Sequence, residues 1–338
     1  MTPLLAPVRL RALSGEAAHK VSWLELFFDL IFVAAVAQVA EPLRDRYTLS
    51  GAARFSALFT LVWWAWTGAA TFATRFDVDD AGQRLLTVVQ IFGVAVMAAN
   101  ARDALDSRST AGFAAAYAAL RLLLVAQYVR ARRLAPARTL ATRYMLGHGL
   151  AAALWLTSAL TEPPMRFWVW AVAATLDFGT PWLAIRDQAT LPPGARHLPE
   201  RVGLFTLILL GEGVVAVMRG IESQDTWPVV AVTAALSAMT LLFAVWWWYF
   251  ERVDAPAAQH VRSHADALRF SVWNYAHLPF YLGIVMTGVG LQRLVGSAGR
   301  ASMARSDVSV LAGAAAVLAG AMAVIARTSG QTSNRATR

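Results

Sequence analysis

The chain has 338 residues, of which 57% are hydrophobic and only 15% are charged. Soluble domains average about 45–50% apolar and about 25% charged residues, so this composition excludes an ordinary soluble protein and predicts an integral membrane protein. The formal net charge is +9, but the basic residues are scattered through loops, so we expect no nucleic-acid partner. The absence of cysteine excludes disulfides, iron–sulfur clusters and thiolate metal sites. We expect neither a metal nor a cofactor.

Apolar runs long enough to cross a bilayer recur along the whole chain. They predict an all-α fold, a polytopic membrane helix bundle whose main partner is the lipid bilayer. Residues 1–20 are predicted as a cytoplasmic N-terminal segment, 21–326 as the transmembrane domain and 327–338 as a disordered cytoplasmic tail. The ten predicted spans are 21–40, 53–74, 84–101, 110–130, 142–160, 166–186, 201–220, 227–250, 268–292 and 307–326.

The distribution of lysine and arginine between loops predicts the orientation of the bundle. With a cytoplasmic N-terminus, the inside segments hold 19 basic residues and the outside loops hold 10. Cytoplasmic loops carry the excess of positive charge in membrane proteins. We therefore predict that both termini are cytoplasmic.

The first predicted span carries two carboxylates. Glu25 and Asp29 are four residues apart, so they lie on one face of a helix, one turn apart. Acids inside a span are costly, and they usually face a cavity or a partner. We predict that this pair forms a proton or cation site. The alternative is that both acids lie near the headgroups or pair with Lys20 or with an arginine of a loop.

Charged residues also interrupt later spans. Arg121 stays protonated and therefore needs a counter-charge, for which Asp177 and Glu212 are the candidates. Such a pair could fix the register of two helices, or the arginine could bind an anionic group of a substrate. Glu212 lies between Gly211 and Gly213, and these small neighbours would let another helix or a bound group approach closely.

Histidines and other polar groups complete the candidate set. His277 precedes Pro279, which frees a backbone carbonyl nearby, so this histidine could relay protons; a lone histidine in a span more often forms a hydrogen bond between helices. The predicted intramembrane polar site comprises Glu25, Asp29, Arg121, Asp177, Glu212 and His277. Second-rank candidates are Glu200, Arg201, Glu251, Gln90 and His148. No strong catalytic motif is present, so no catalytic residue is predicted.

Two patterns bear on the packing of the helices. His19–Phe27 aligns weakly with His197–Phe205, and a tryptophan cluster follows each stretch. This alignment predicts a parallel internal repeat with units 19–101 and 197–292, although short matches in an apolar chain also arise by chance. In the tenth span, Ala312, Ala316 and Gly320 are spaced by four and predict a close-packing face.

Four blocks in order resemble a known family. Trp23-Leu-Glu-Leu-Phe-Phe-Asp-Leu-Ile-Phe-Val33 and Glu200-Arg-Val-Gly-Leu-Phe-Thr-Leu-Ile-Leu-Leu-Gly-Glu212 are similar to signatures of the bacterial low temperature requirement A proteins. Trp247-Trp-Tyr-Phe-Glu251 and Tyr275-Ala-His-Leu-Pro279 resemble further blocks of that family. The resemblance runs from about residue 19 to 290. It implies a multi-pass protein of the bacterial inner membrane with a cold-growth phenotype, and it implies no particular biochemical activity.

Three functions are compatible with this pattern. We predict a transporter or channel for protons, cations or a small charged solute, and we do not expect an enzyme. The alternatives are an intramembrane enzyme acting on a lipid or isoprenoid, and a membrane assembly factor whose charges are all paired. A hydrated polar passage would favour transport, a lateral opening beside an acid–histidine pair would favour the enzyme, and a sealed core would favour assembly. The sequence does not determine the oligomeric state, and a homo-oligomer is compatible with it.

Overall fold

The computed structural model describes residues 7–10, 21–78, 80–106, 110–191, 197–252, 263–299 and 304–329. These residues are almost entirely α-helical, which confirms the predicted all-α class. The helices are α1 Trp23–Asp45, α2 Leu49–Arg75, α3 Ala81–Ala99, α4 Thr110–Ala131, α5 Arg138–Ala159, α6 Met165–Leu183, α7 Ile185–Thr190, α8 His197–Glu222, α9 Val229–Arg252, α10 His264–Ser297 and α11 Arg305–Ser329. Two short strands, β1 Arg9–Leu10 and β2 Phe76–Asp77, pair antiparallel.

Seven helices in the described part of the chain are long and apolar enough to cross a membrane: α1, α3, α4, α8, α9, α10 and α11. This establishes a multi-pass helical membrane protein. Helices α2, α5 and α6 overlap predicted spans but are not among the seven. A helix that packs against protein can carry more polar residues than one that faces lipid, and α6 holds the buried Arg166 and Asp177. The count of ten spans therefore stays a prediction.

The chain divides into two compact units. The first comprises residues 1–38, 60–201 and 258–268. Its helices α3 to α6 pack in sequence, each antiparallel neighbour joined by a short connection. Aromatic side chains fill its core: Trp64 stacks on Phe178 with ring centroids 4.2 Å apart, and Tyr128 stacks on Tyr144 at 5.0 Å. These contacts join α2 to α6 and α4 to α5.

The second unit comprises residues 39–59, 202–257 and 269–338. Close backbone approach holds its helices together: a Cβ atom added to Gly283 of α10 would lie 2.8 Å from the Cα atom of Leu318 in α11. Tyr281 of α10 donates a hydrogen bond to the carbonyl oxygen of Val202 at 2.9 Å. Burial raises the pKa of the Tyr47 phenol, and the nearby carboxylate of Asp307 adds to the shift, so the hydroxyl stays protonated. It donates to the carbonyl oxygen of Met286 at 2.8 Å.

The predicted close-packing face of the tenth span is wrong. Ala312, Ala316 and Gly320 are exposed, and no other part of the described chain lies within 4 Å of a Cβ added to Gly320. The buried face of α11 instead includes Ala314 and Leu318. Spacing by four identifies one face of a helix, but it does not reveal whether that face contacts protein or lipid.

Several predictions concern the ends of the chain or its symmetry. Helix α11 continues to Ser329, so it extends beyond the predicted start of the tail at residue 327. Most of the predicted N-terminal segment, Lys20 included, and residues 330–338 lie outside the described residues. The internal repeat and the orientation of the termini stay predictions.

Candidate functional site

Asp29 accepts three side-chain hydrogen bonds within the first unit. It is fully buried in α1, and Arg201 of α8 donates from Nε to Oδ2 at 3.1 Å and from Nη2 to Oδ1. The indole nitrogen of Trp66 in α2 donates to Oδ1 at 2.7 Å. A buried carboxylate held by a guanidinium fork and an indole N–H is well compensated for its lost hydration. Arg201, a second-rank candidate, is thus the counter-charge of Asp29.

Glu25 caps the start of α1, a contact that the sequence analysis did not consider. Ser22 donates its backbone N–H to Glu25 Oε2 at 2.8 Å, and Glu25 donates its backbone N–H to Ser22 Oγ at 3.2 Å. This reciprocal arrangement is a capping box, which satisfies the free N–H groups at the start of α1. Glu25 therefore lies at a helix end rather than deep in the span. The spacing Ser22-x-x-Glu25 could have revealed this from sequence.

The acids of α1 face basic residues of α8. Glu25 and Asp29 are four residues apart on α1, and His197 and Arg201 are four residues apart on α8. His197 Nε2 lies 3.5 Å from Glu25 Oε2, and Arg201 holds Asp29. Two successive helical turns thus place an acid opposite a base. The alternative pairing with Lys20 involves a residue outside the described part of the chain, whereas Arg201 and His197 supply observed partners.

A small polar cavity adjoins these acid–base pairs of α1 and α8. Its volume is about 30 Å³, room for one or two water molecules. Helix α3 contributes Gln83, Thr87 and Gln90, and α4 contributes Gln127. Gln90 Nε2 donates to Gln127 Oε1 at 3.4 Å. The remaining lining residues are Glu25, Phe28, Ala69, Phe72, Ala73 and Arg201. The cavity therefore combines a carboxylate, a guanidinium and several amides inside a helical membrane bundle.

Sequence reasoning missed most of the amide side of this cavity. Gln83, Thr87 and Gln90 are spaced at i, i+4 and i+7, which forms one polar face on a largely apolar helix. That periodicity was a usable signal. Gln127 had no comparable signal, because only the packing of α4 against α3 brings it opposite Gln90.

A second buried cluster pairs Arg121 with Asp177, one of the two acids predicted as its counter-charge. Arg121 Nε lies 2.7 Å from Asp177 Oδ2, and both side chains are at most 1% exposed. Tyr117 donates its hydroxyl to the same Oδ2 at 2.8 Å and accepts from Arg121 Nη2 at 2.6 Å. Gly68 of α2 makes room for this guanidinium, since an added Cβ would lie 2.7 Å from Arg121 Nη1. Tyr117, four residues before Arg121, is a partner that the sequence analysis missed.

His148 belongs to the same cluster. Its Nδ1 lies 2.7 Å from Asp177 Oδ1, while its buried Nε2 has no hydrogen-bond partner among the described residues. The imidazole packs beside the rings of Tyr128 and Tyr144, with centroids 6.1 Å and 5.5 Å away. The carboxylate of Asp177 thus joins one arginine, one histidine and one tyrosine across α4, α5 and α6.

The other predicted site residues lie in the second unit. Glu212 Oε1 is 2.5 Å from Arg44 Nη2 and 3.5 Å from Arg219 Nη1, so its partner is not Arg121. His277 has its Nδ1 at 2.8 Å from the carbonyl oxygen of Trp273 and its Nε2 at 3.1 Å from the hydroxyl of Tyr249. Asp177 and Glu212 therefore pair with different arginines. Among the second-rank candidates, Glu200 and Glu251 are exposed.

Comparison with known proteins agrees with the sequence blocks described above. The family model for the bacterial low temperature requirement A protein matches residues 20–337. An uncharacterised protein of Rhizobium meliloti (strain 1021) is 30% identical over 287 residues, which cover 80% of this chain and 68% of that protein. No solved structure matches.

Proposed function

The chain belongs to the bacterial low temperature requirement A family, and we propose that it transports protons across the membrane. The observation that carries this proposal is the polar cavity among α1, α2, α3, α4 and α8. Glu25 and Arg201 line it on one side, and the amides of α3 and α4 line it on the other. Hydrated polar cavities within spanning helices are typical of ion and proton pathways.

The size and charge of the cavity favour a proton over the other predicted cargoes. Its volume of about 30 Å³ holds water but no lipid or isoprenoid group. The guanidinium of Arg201 has only N–H donors, so that side of the cavity offers no oxygen ligand to a metal cation. Water molecules between Glu25 and the glutamines could instead pass a proton from one hydrogen bond to the next.

Glu25 is the best candidate for the group that exchanges the proton. Its side chain is 16% exposed, whereas Asp29 is fully buried and held by Arg201. His197 Nε2 lies 3.5 Å from Glu25 Oε2, so a small movement of either side chain would bring the two groups within hydrogen-bond distance. We assign Glu25 and His197 as the exchanging pair, and Asp29 and Arg201 as the positioning pair that fixes α1 against α8.

The assembly role is the second candidate function. The pairs Asp29–Arg201, Asp177–Arg121 and Glu212–Arg44 neutralise three acids that the sequence places in spans. Paired charges of this kind can serve the packing of helices alone. They do not account for the cavity or for the partly exposed Glu25, so transport is the function we prefer.

A flux assay in vesicles tests the proposal. Purified protein would be reconstituted with a trapped pH-sensitive dye, and a potassium gradient with valinomycin would impose a membrane potential. We expect proton uptake above that of protein-free vesicles, and Glu25→Gln should reduce it by about tenfold or more because the exchangeable proton is lost.

The matched control is Glu222→Gln, which removes an exposed carboxylate at the end of α8. It should leave the flux unchanged. Equal fluxes in wild type and in Glu25→Gln, at equal amounts of reconstituted protein, would contradict the assignment of Glu25.

A further inference from the structure

The inward face of α3 changes from polar to apolar halfway along the helix. Its inward positions form one stripe, in which spacings of four and three residues alternate. Three polar residues are followed by two apolar ones: Gln83, Thr87, Gln90, Val94 and Met97. The polar three line the cavity beside Glu25, whereas Val94 and Met97 are buried and do not line it. The cavity therefore ends at Gln90, near the middle of α3.

Helix α4 shows the same change on the side that faces α3. Gln127 lines the cavity opposite Gln90, whose Nε2 donates to Gln127 Oε1 at 3.4 Å. Farther along the interface, Leu120 packs against Gly93: a Cβ added to the glycine would lie 2.9 Å from Leu120 Cδ2. The missing Cβ of Gly93 thus leaves a notch that the leucine side chain fills. Because Gly93 is three residues after Gln90, this contact lies about one turn beyond the two glutamines.

An apolar layer follows the glutamines at this interface. Leu120 of α4 and Val94 and Met97 of α3 are all buried. The next inward side chain of α3 after Gln90 is Val94, which offers no hydrogen bond to water. Apolar spaces inside proteins stay dry, and hydrophobic constrictions close ion pathways because water does not enter them. Water molecules in the cavity therefore do not continue past the contact of Leu120 with Gly93.

We propose that Leu120, seated in the notch of Gly93, is the gate that closes the inner end of the cavity to protons. The inference rests on the proposed proton transport, because that function makes the closed end of the cavity part of a pathway. A leucine side chain moves between staggered rotamers, so Leu120 can leave the notch without displacement of either helix backbone. Water would then extend from the two glutamines into the next turn of α3, and the proton would follow it.

Oxidation of Met97 by hydrogen peroxide tests the closure on the native chain, purified in lipid nanodiscs. Peroxide is neutral and little larger than water, and it converts an accessible methionine to the sulfoxide, which mass spectrometry quantifies. The chain has no cysteine that would consume the reagent. Met165, an exposed residue at the start of α6, gives the rate of an unprotected methionine. In the wild type we expect Met97, which lies one turn beyond Gly93, to react far more slowly than Met165.

Two substitutions of Leu120 should open the gate. Leu120→Ala should raise the oxidation rate of Met97 by about tenfold or more, because the notch is then open to water from the cavity. Leu120→Gln keeps a side chain of similar length but admits water, so it should raise the rate without leaving a hole in the core. The matched control is Leu122→Ala, the same truncation on the exposed face of α4, which should leave the rate unchanged. In the vesicle flux assay, both Leu120 variants should conduct protons faster than the wild type does.

Either of two results would overturn the gate. If Met97 of the wild type is oxidised as fast as Met165, the inner end of the cavity is not closed. If Leu120→Ala and Leu122→Ala give equal rates at Met97, Leu120 is not the residue that closes it. Oxidation requires no proton flux, so the closure and the transport are tested separately. Faster oxidation of Met97 in both Leu120 variants, with no proton flux in any of the proteins, would support the closure and contradict the transport.

Discussion

Buried acids in the first unit are each paired with a specific arginine, and the two charges of a pair stabilise the fold only when both are present. Asp29 has Arg201, and Asp177 has Arg121. Removing one partner leaves a buried charge uncompensated, which typically costs about 3–5 kcal/mol, whereas replacing both by apolar groups of similar size is often tolerated. A direct pair is therefore recognised when the double replacement costs less free energy of unfolding than a single replacement does.

The pair Asp29–Arg201 provides the first test at this scale. Arg201→Met should lower the free energy of unfolding by about 3–5 kcal/mol, and Asp29→Leu combined with Arg201→Met should recover most of the loss. Denaturant unfolding in detergent would measure both. If the free energy lost in the double variant equals the sum of the losses in Arg201→Met and in Asp29→Leu, the two residues do not form a direct pair.

Tyr117 provides a second test, in the cluster around Asp177. Its hydroxyl bonds to both charged partners, so Tyr117→Phe should cost about 1.5–3 kcal/mol, less than Arg121→Met. The same unfolding measurement applies. If Tyr117→Phe lowers the free energy of unfolding more than Arg121→Met does, the ion pair is not the main contribution to the stability of this cluster.

At the scale of the helix, the sequence predicted the elements well but not their partners. Long apolar runs placed a helix in each predicted span, because composition and length determine that a segment can cross lipid. The partner of Arg121 could be narrowed to two acids, since a buried guanidinium requires one. The pairing of Asp29 with Arg201 was not predicted, because the spacing along one helix carries no information about the residues on another. The exposed face of α11 was predicted incorrectly for the same reason.

Glycine packing between α10 and α11 gives a prediction for these elements. Gly283→Ala places a Cβ 2.8 Å from the Leu318 backbone and should cost about 1–3 kcal/mol through overpacking. Gly320→Ala in α11, where nothing lies within 4 Å, should be neutral or stabilising by up to about 1 kcal/mol. Unfolding temperatures of the two variants would be compared directly. Similar losses in both would contradict the close approach of these helices.

At the scale of the whole molecule, orientation is the main open prediction. The excess of lysine and arginine on one set of loops predicts that both termini are cytoplasmic. Reporter fusions in the connection between α4 and α5, near Arg132, and at the C-terminus should both report a cytoplasmic location. A periplasmic signal at either position would reject the ten-span, N-in and C-in arrangement.

The central claim is that the polar cavity beside Glu25 conducts protons and not other ions. Its most direct test is the reversal potential across a planar bilayer that contains the purified protein. With a pH gradient and equal salt on both sides, we predict a reversal potential that follows pH by about 59 mV per unit. Gradients of sodium or potassium at equal pH should leave it near zero. A reversal potential that follows the sodium or potassium gradient, or a conductance equal to that of the bare bilayer, would contradict the account.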